Sequence, residues 1–328
     1  MIVYRFGRED LLRTRFAISP LFELVASVRV LRDPGAHSVH LPWVREARAR
    51  LAGLDFALLD ALHPDGPYSP DFMAPPPGTP LPDVDEEFAR VRATPPERAR
   101  AELGWTYAGR RVPAVARPLL DDPAAALGDL VDLMEEYWAR AIAPWWDAIR
   151  EVLEADIRHR ARHLAGGGAL ELFAGLHPDV GWSDGALIVD RRHEAEVELA
   201  GRGLQLVPAA FGWPRVGAMF DPPWQPALIY PPRGVGDLWA PVHEDPEALA
   251  ALVGRRRARI LGALGAEATT SELARRLAAS PAGVSEHLGV LRRAGLVRAR
   301  REGRAVLYSR TATGDVLTAP ASSPGSPS

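Results

Sequence analysis

The chain has 328 residues, 47% of them hydrophobic, and its 39 basic and 42 acidic side chains give a net charge of −3. This length predicts two or three domains, and the apolar residues are enough for a core. The absence of cysteine excludes disulfides and thiolate metal sites. No secretion signal begins the chain and charged residues interrupt every long apolar run, so we expect a cytoplasmic protein that does not enter a membrane.

The amino-terminal half has mainly helical spacing. Residues 1–6 alternate as in a short strand, and Ser19 followed by Pro20 is typical of a helix start. Apolar residues at helical spacing predict further helices over residues 43–51, 83–103 and 123–157. Pro144 should break or kink the last of these helices, because proline lacks the backbone N–H that a helix interior needs.

A proline-rich segment over residues 68–82 is predicted to be an extended surface loop. Tryptophans are concentrated in the same half of the chain and beyond it, at Trp138, Trp145, Trp146, Trp182, Trp213, Trp224 and Trp239. Tryptophans at helical spacing fit a core. They also fit a pocket for a small apolar effector that the proline-rich segment closes.

The spacing changes after the glycines at 166–168, which we interpret as a flexible joint. Short strands are predicted at residues 170–173, 180–182, 186–189, 197–199, 204–207 and 227–230. Ser183-Asp184-Gly185 is a hairpin turn in this interpretation. We therefore predict an α+β fold, in which residues 1–242 form a helical body with a small antiparallel sheet.

Motifs for chemistry are missing from this body. His193-Glu194 is followed by Val197 where a zinc protease has its second histidine, and the glycines at 166–168 lack the Lys of a phosphate loop. His63 and His177 both precede Pro-Asp, which is typical of turns. We predict no catalytic residue, no metal ligand and no cofactor.

The last part of the chain is predicted to be a winged helix-turn-helix over residues 243–315, followed by a disordered tail over residues 316–328. Asp245-Pro246 should cap a helix that continues through Leu264. Thr270 is a possible cap of the next helix. After a tight turn come a third helix and a basic hairpin, whose two strands lie on either side of Gly303.

The third helix should begin at Ser280, with Pro281 in its first position, and end before Gly295. Val284, Leu288 and Leu291 recur at helical spacing and should face a small core. The residues expected at DNA lie around this helix and the wing: Thr270, Ser280, Ala282, Gly283, Ser285, Glu286, His287, Arg292, Arg293, Arg300, Arg301 and Arg304. For His287, partial packing and base contact both remain open.

Charge favours this interpretation. Between Arg255 and Arg310 there are 13 Arg against four Glu, a net charge of +9, which leaves 26 basic and 38 acidic residues elsewhere, a net charge of −12. A basic module on an acidic body suits phosphate binding, because neutralising phosphates releases counterions.

The run Ser-Pro-Ala-Gly-Val-Ser-Glu-His-Leu, then Leu-Arg-Arg-Ala-Gly-Leu-Val and a basic wing ending near Tyr308, resembles the ArsR-type winged-helix regulators over about a fifth of the chain. The resemblance implies a dimer, commonly a repressor, with Ser285 and His287 at recognition positions. Two features depart from the family. The cysteine pair of its metal sensors is absent, and the segment 311–318 is short for a terminal dimerisation helix.

The upstream body resembles the poorly characterised domain that accompanies some ArsR-type winged helices in GC-rich bacteria, which has no assigned ligand. We expect a homodimeric transcriptional regulator that binds operator DNA, without a catalytic activity and with a small-molecule effector as a possible signal. Two alternatives stay open. One is an enzyme with an appended regulatory winged helix, and the other is a winged-helix module for protein interaction.

Overall fold

The computed structural model describes residues 1–64, 68–191, 194–239, 246–264, 267–302 and 305–318. The chain divides into two compact units, Met1–Ala240 and Pro241–Ser328, which are described separately below. Among the described helices, none is both long enough and apolar enough to cross a membrane.

The secondary structure is numbered in chain order. The helices are α1 (Asp10–Arg13), α2 (Pro20–Arg32), α3 (Leu41–Arg50), α4 (Ala57–Ala61), α5 (Val84–Arg92), α6 (Pro96–Thr106), α7 (Pro118–Asp121), α8 (Pro123–Ala141), α9 (Trp146–Ala174), α10 (Pro246–Val253), α11 (Arg255–Ala263), α12 (Thr270–Arg276), α13 (Pro281–Arg293) and α14 (Ala312–Thr318). The strands are β1 (Ile2–Arg5), β2 (Arg15–Phe16), β3 (Val180–Ser183), β4 (Ala186–Val189), β5 (Ala195–Glu198), β6 (Gln205–Pro208), β7 (Gly217–Met219), β8 (Ala227–Tyr230), β9 (Ala268–Thr269), β10 (Val297–Glu302) and β11 (Ala305–Arg310).

Local sequence signals set the helix ends of the first unit. Ser19 caps α2 by accepting a hydrogen bond from the backbone N–H of Phe22, as the Ser-Pro start predicted. Pro144 separates α8 from α9, also as predicted, with a short 3-10 turn between the two helices. The predicted helix over residues 83–103 is two helices, α5 and α6, because Pro95 interrupts it.

The helices of the first unit share one apolar core, centred on α8. The fully buried side chains on α8 are Leu130, Val131, Met134, Tyr137 and Ala141. A second core lies under the strands and includes Tyr4, Phe173 and Tyr230. The α+β class is therefore confirmed, with the strands supported by a core of their own.

The strands of the first unit form two mixed sheets, whereas the sequence predicted one small antiparallel sheet. The first sheet has the order β3-β4-β1-β5 and the second the order β2-β6-β8-β7. β1 pairs with β5 in parallel, and β6 is parallel to both β2 and β8. Sequence spacing identified most of these strands but carried no signal for their pairing, because parallel partners lie far apart in the chain.

The predicted strand at residues 170–173 is wrong. Helical structure continues from Trp146 to Ala174, with a kink at Gly168, whose φ of 70° is outside the helical range. Leu172 and Phe173 pack into the core from this last helical turn. A short run of consecutive apolar residues looks the same in a buried strand and in a buried helix, because it is too short to show a periodicity. This explains the error.

The proline-rich segment is not a surface loop over most of its length. Residues 72–77 are buried, and only residues 78–81 are exposed. The Pro77 carbonyl accepts a hydrogen bond from the Gln205 side chain at 3.0 Å, and the Phe72 N–H donates to Glu102 at 2.7 Å. Since proline has no N–H to satisfy, such a segment can cross a core with few unpaired donors.

The second unit is a small helical domain with a three-stranded sheet of order β10-β11-β9. The helix predicted to continue through Leu264 is broken at Gly254, whose φ of 86° separates α10 from α11. Asp245, its predicted cap, lies outside the described residues. Residues 316–318 of the predicted tail belong to α14, and residues 319–328 lie outside the described part of the chain.

Candidate nucleic-acid interface

The helix-turn-helix begins with a capping box on α12. Thr269 accepts a hydrogen bond from the Glu272 N–H at 3.3 Å, and the Glu272 carboxylate accepts one from the Thr269 N–H at 2.8 Å. The hydrogen bonds that the carboxylate accepts from the Thr269 N–H and the Thr269 hydroxyl lower the pKa of Glu272. The predicted cap, Thr270, is instead the first residue of α12. The N-cap is Thr269, which has the extended backbone that this position requires.

The turn between α12 and α13 contains an alanine in the left-handed conformation. Ala278 has a φ of 50°, and the N–H of Ala279 reaches back to the carbonyl of Ala274 at 2.9 Å. This is the hydrogen bond of a Schellman motif, which closes the carboxyl-terminal end of α12. The chain is thereby turned so that Ser280 can begin the next helix.

The start of α13 is as predicted. Ser280 accepts a hydrogen bond from the Gly283 N–H at 3.2 Å, and Pro281 is in the first turn. One face of α13 is buried in the core of the second unit through Val284, Leu288 and Leu291. This core fixes which face of α13 is left for solvent.

The opposite face of α13 presents small and polar side chains. Ala282, Ser285 and Glu286 are exposed, whereas Gly283 and His287 are partly buried. These positions agree with the helical spacing in the sequence. That they contact DNA stays a prediction, since burial alone reports only accessibility.

The carboxyl-terminal end of α13 carries two cations. Arg292 and Arg293 are exposed, and among the described residues neither has an ion-pair or hydrogen-bond partner. Gly295 follows with a φ of 73°. The helix end therefore leaves both guanidinium groups available to an external anion.

The wing is an antiparallel hairpin of β10 and β11. Arg300 lies opposite Leu307 and Arg301 opposite Val306. Both arginines are exposed, and Arg300 forms an ion pair with Glu267 at 3.1 Å. Arg304, predicted at the wing tip, lies outside the described residues.

Arg298 is a further cation of the wing and was not among the predicted site residues. It is exposed on β10 and donates a hydrogen bond from Nε to Ser309 Oγ at 3.0 Å. Side chains alternate along a strand, so Arg298 and Arg300 share one face of the hairpin. That period-two spacing was the signal that could have identified it.

The tryptophans of the first unit are partly core and partly groove. Trp138 and Trp145 are each 9% exposed, and Trp146 packs on Trp138 with ring centroids 5.3 Å apart. An open groove of about 730 Å³ runs beside Trp138 and Trp146 and is bordered by Pro82 and Val84, at the end of the proline-rich segment and the start of α5. The tryptophans therefore contribute to the core, and that this open groove holds a small apolar effector stays a prediction.

The histidines considered for chemistry serve as hydrogen-bond groups where they are described. His177 donates from Nε2 to the Pro214 carbonyl at 3.0 Å, and His63 donates from Nδ1 to the Leu59 carbonyl at 2.8 Å. His193 lies outside the described residues. Within the described ranges, no three His, Asp or Glu side chains come together as ligands for a metal ion.

Two family models match the chain. Residues 79–235 match a family of unknown function (DUF5937), and residues 256–300 match a helix-turn-helix domain. The second match covers most of α11 and continues through α12 and α13 into the wing, and the first lies within the body. No curated protein matches the chain.

Two solved structures are similar to part of the chain. They are reduced HlyU and HlyU, both from Vibrio cholerae N16961, and each is 34% identical over 23% of this chain. The matched regions cover 79% and 87% of those proteins, with TM-scores of 0.20 and 0.19. The family match over residues 256–300, together with the motif described above, identifies this part of the chain as an ArsR-type helix-turn-helix domain, the kind found in DNA-binding transcription regulators.

Proposed function

We propose that the chain is a homodimeric repressor that binds operator DNA through α13 and the wing. The observation that carries this proposal is that α13 has two different faces. One face packs in the core of the second unit, and Ala282, Ser285 and Glu286 on the other face are exposed to solvent. Small side chains allow a helix backbone to approach base edges in the major groove. The proposed place of action is the cytoplasm, where the DNA is.

The first turns of α13 are proposed to carry sequence preference. Glu286 can accept a hydrogen bond from the amino group of a cytosine, and Ser285 can bond to either kind of base edge. His287, partly buried beside them, is proposed to support one base contact. Changing Ser285 or Glu286 should therefore alter which sequence is preferred.

The remaining residues of the interface are proposed to hold phosphates. Backbone N–H groups at the amino-terminal end of a helix attract phosphate oxygens, and we propose this role for Thr270, Ser280 and Ala282. The Gly283 N–H is bonded to Ser280 Oγ, so Gly283 is proposed to help only by letting the backbone come close to the DNA. The arginine side chains supply the positive charge, namely Arg292, Arg293, Arg300, Arg301 and Arg304.

A dimer is proposed because winged helices of this type read two half-sites about 34 Å apart, one turn of the DNA helix. We propose that the first unit supplies most of the dimer contacts. We propose that it has no catalytic activity and that a small molecule changes the affinity for DNA by favouring one dimer geometry.

The test uses a double variant of the unpaired cations, Arg292→Ala with Arg293→Ala. Each phosphate contact contributes about −0.9 to the slope of log K against log salt, so the slope should become shallower by about 2. Arg45→Ala is the matched control, because Arg45 is an exposed helical arginine on α3 of the first unit. Fluorescence anisotropy with duplex DNA at several salt concentrations measures the slope. An unchanged affinity and slope in the double variant would contradict the proposal.

A further inference from the structure

The open groove beside Trp138 and Trp146 is large enough to hold a small organic molecule. Its volume is about 730 Å³, within the range of about 300–1,000 Å³ that is usual for ligand pockets. The groove lies entirely in the first unit, between the junction of α8 and α9 on one side and the start of α5 on the other. We call it the tryptophan groove.

One wall of the tryptophan groove is made by the junction of α8 and α9. Pro144 lies in the short turn between these helices, and Trp138 meets Trp146 across it, edge to face, with ring centroids 5.3 Å apart. Trp138 is 9% exposed and Trp146 is only partly buried, so Trp146 offers the larger ring surface. The face of an indole ring attracts cations more strongly than any other aromatic side chain does.

The opposite wall combines apolar side chains with two carboxylates. Leu81, which is 48% exposed, and Pro82 end the proline-rich segment, and Val84 is the first residue of α5. Asp83 caps this helix and Glu86 lies in its first turn, and both are exposed in the groove. Apolar surface and negative charge are therefore available side by side.

The charges around the tryptophan groove leave a negative excess. Arg150 brings a positive charge to the Trp146 wall, but its Nε lies 3.6 Å from Glu154 Oε1 on the same helix. The start of α9 adds about half a positive charge, which Asp147 in its first turn offsets. The start of α5 adds another half charge, which is too little to neutralise two carboxylates. The groove is therefore complementary to a cation.

We propose that the tryptophan groove binds a small organic cation with an apolar body, such as an ammonium group attached to an aromatic ring. The cationic group lies against the ring of Trp146 and near Glu86, and the apolar body packs against Leu81 and Pro82. A ligand of this kind uses both properties of the groove, whereas a neutral apolar molecule leaves the carboxylates unused and an anion is repelled by them. The site gives the chemical class of the small molecule in the proposed function, and only its regulatory role rests on that function.

Isothermal titration of the full chain without DNA, at constant ionic strength, compares three probes of similar size. Benzyltrimethylammonium carries a positive charge, benzyl alcohol carries none and phenylmethanesulfonate carries a negative charge. The cation should bind saturably, with one site per chain, and more tightly than the other two probes. No saturable binding of the cation, or tighter binding of the sulfonate, would overturn the proposal.

Two variants test the charge and the ring separately. Glu86→Gln keeps the size of the side chain and should weaken binding of the cation about threefold, as for an exposed ion pair, without changing the binding of benzyl alcohol. Trp146→Leu should weaken binding of the cation about fivefold, because the ring face is lost.

The matched controls remove the same kinds of side chain elsewhere in the first unit. Glu46→Gln changes an exposed carboxylate on α3, and Trp105→Leu changes a tryptophan on α6 that is 46% exposed. Both should bind the cation as the unaltered chain does. Unchanged binding of the cation in Glu86→Gln and Trp146→Leu would overturn the proposal, because the cation would then bind at another place.

Fluorescence anisotropy with duplex DNA, with and without saturating benzyltrimethylammonium, tests the regulatory role. A changed affinity for DNA would support it, and an unchanged affinity would contradict it. The two proposals fail in different ways. A chain that binds the cation but no DNA would contradict the proposed function alone, and a chain that binds DNA but not the cation would contradict the ligand site alone.

Discussion

Gly295 ends α13 in a backbone conformation that favours glycine. Its φ is 73°, and the N–H groups of Gly295 and Leu296 donate to the carbonyls of Arg292 and Leu291 at 3.0 and 2.9 Å. These two bonds are the Schellman motif that closes the helix. Replacing Gly295 with alanine should loosen the end of the helix that carries the unpaired arginines.

The size of the effect follows from the geometry. A residue with a Cβ loses about 1–2 kcal/mol in the left-handed region. A Cβ on Gly295 would meet no atom within 4 Å, so no clash adds to this loss. Alanine also restricts the unfolded chain more than glycine does, which stabilises the folded state by about 0.4–1 kcal/mol and offsets part of this loss. We expect a net loss of about 1 kcal/mol for Gly295→Ala.

Hydrogen exchange of the full chain, read by mass spectrometry, measures this loss locally. A change of about 1 kcal/mol corresponds to roughly fivefold faster exchange in peptides that cover the end of α13. Gly262→Ala is the matched control on α11, where a Cβ also meets no atom within 4 Å. There alanine should slow exchange, because it is the better helix former by up to about 1 kcal/mol. Unchanged or slower exchange in Gly295→Ala would refute the reasoning.

Three further predictions concern stability. Ala278→Gly should slow hydrogen exchange at the end of α12, because it removes the left-handed strain of Ala278, and faster exchange there would contradict this. Ser280→Ala should destabilise the start of α13 by about 1 kcal/mol in the same assay, since the Gly283 N–H loses its acceptor, and unaltered protection would count against the cap. Burial raises the pKa of Glu87 from 4.5 to about 7, so the stability that its protonated form contributes is complete below pH 4.5 and should be lost as the pH rises through 7. In urea unfolding of the first unit, Glu87→Gln should make this loss of stability smaller. An identical pH profile of stability in the variant would contradict the prediction.

Helix α13 was predictable because its signals are local. Ser280, Pro281, the apolar stripe and Gly295 all lie within sixteen residues and act through bonds inside the helix or at its ends. The wing followed for the same reason, since a hairpin pairs neighbouring segments. The cap of α12 was misplaced by one residue because Thr269 and Thr270 have the same side chain, and only the backbone conformation distinguishes them.

The body was less predictable because its structure depends on distant contacts. Gln205 binds the Pro77 carbonyl across 128 residues, and β1 pairs with β5 across more than 190. Neither relation leaves a periodic signal in the sequence. The burial of the proline-rich segment and the parallel strand pairs therefore had to come from the structure.

Sequencing of genomic DNA fragments captured by the full chain, compared with those captured by Glu286→Ala, tests the proposed role of α13 most directly. We expect the unaltered chain to enrich two inverted half-sites about one helical turn apart. The variant should keep this spacing and change its preference at one base position in each half-site, because the base contact of Glu286 is lost. Enrichment of no common sequence, or the same preference in both proteins, would contradict the account.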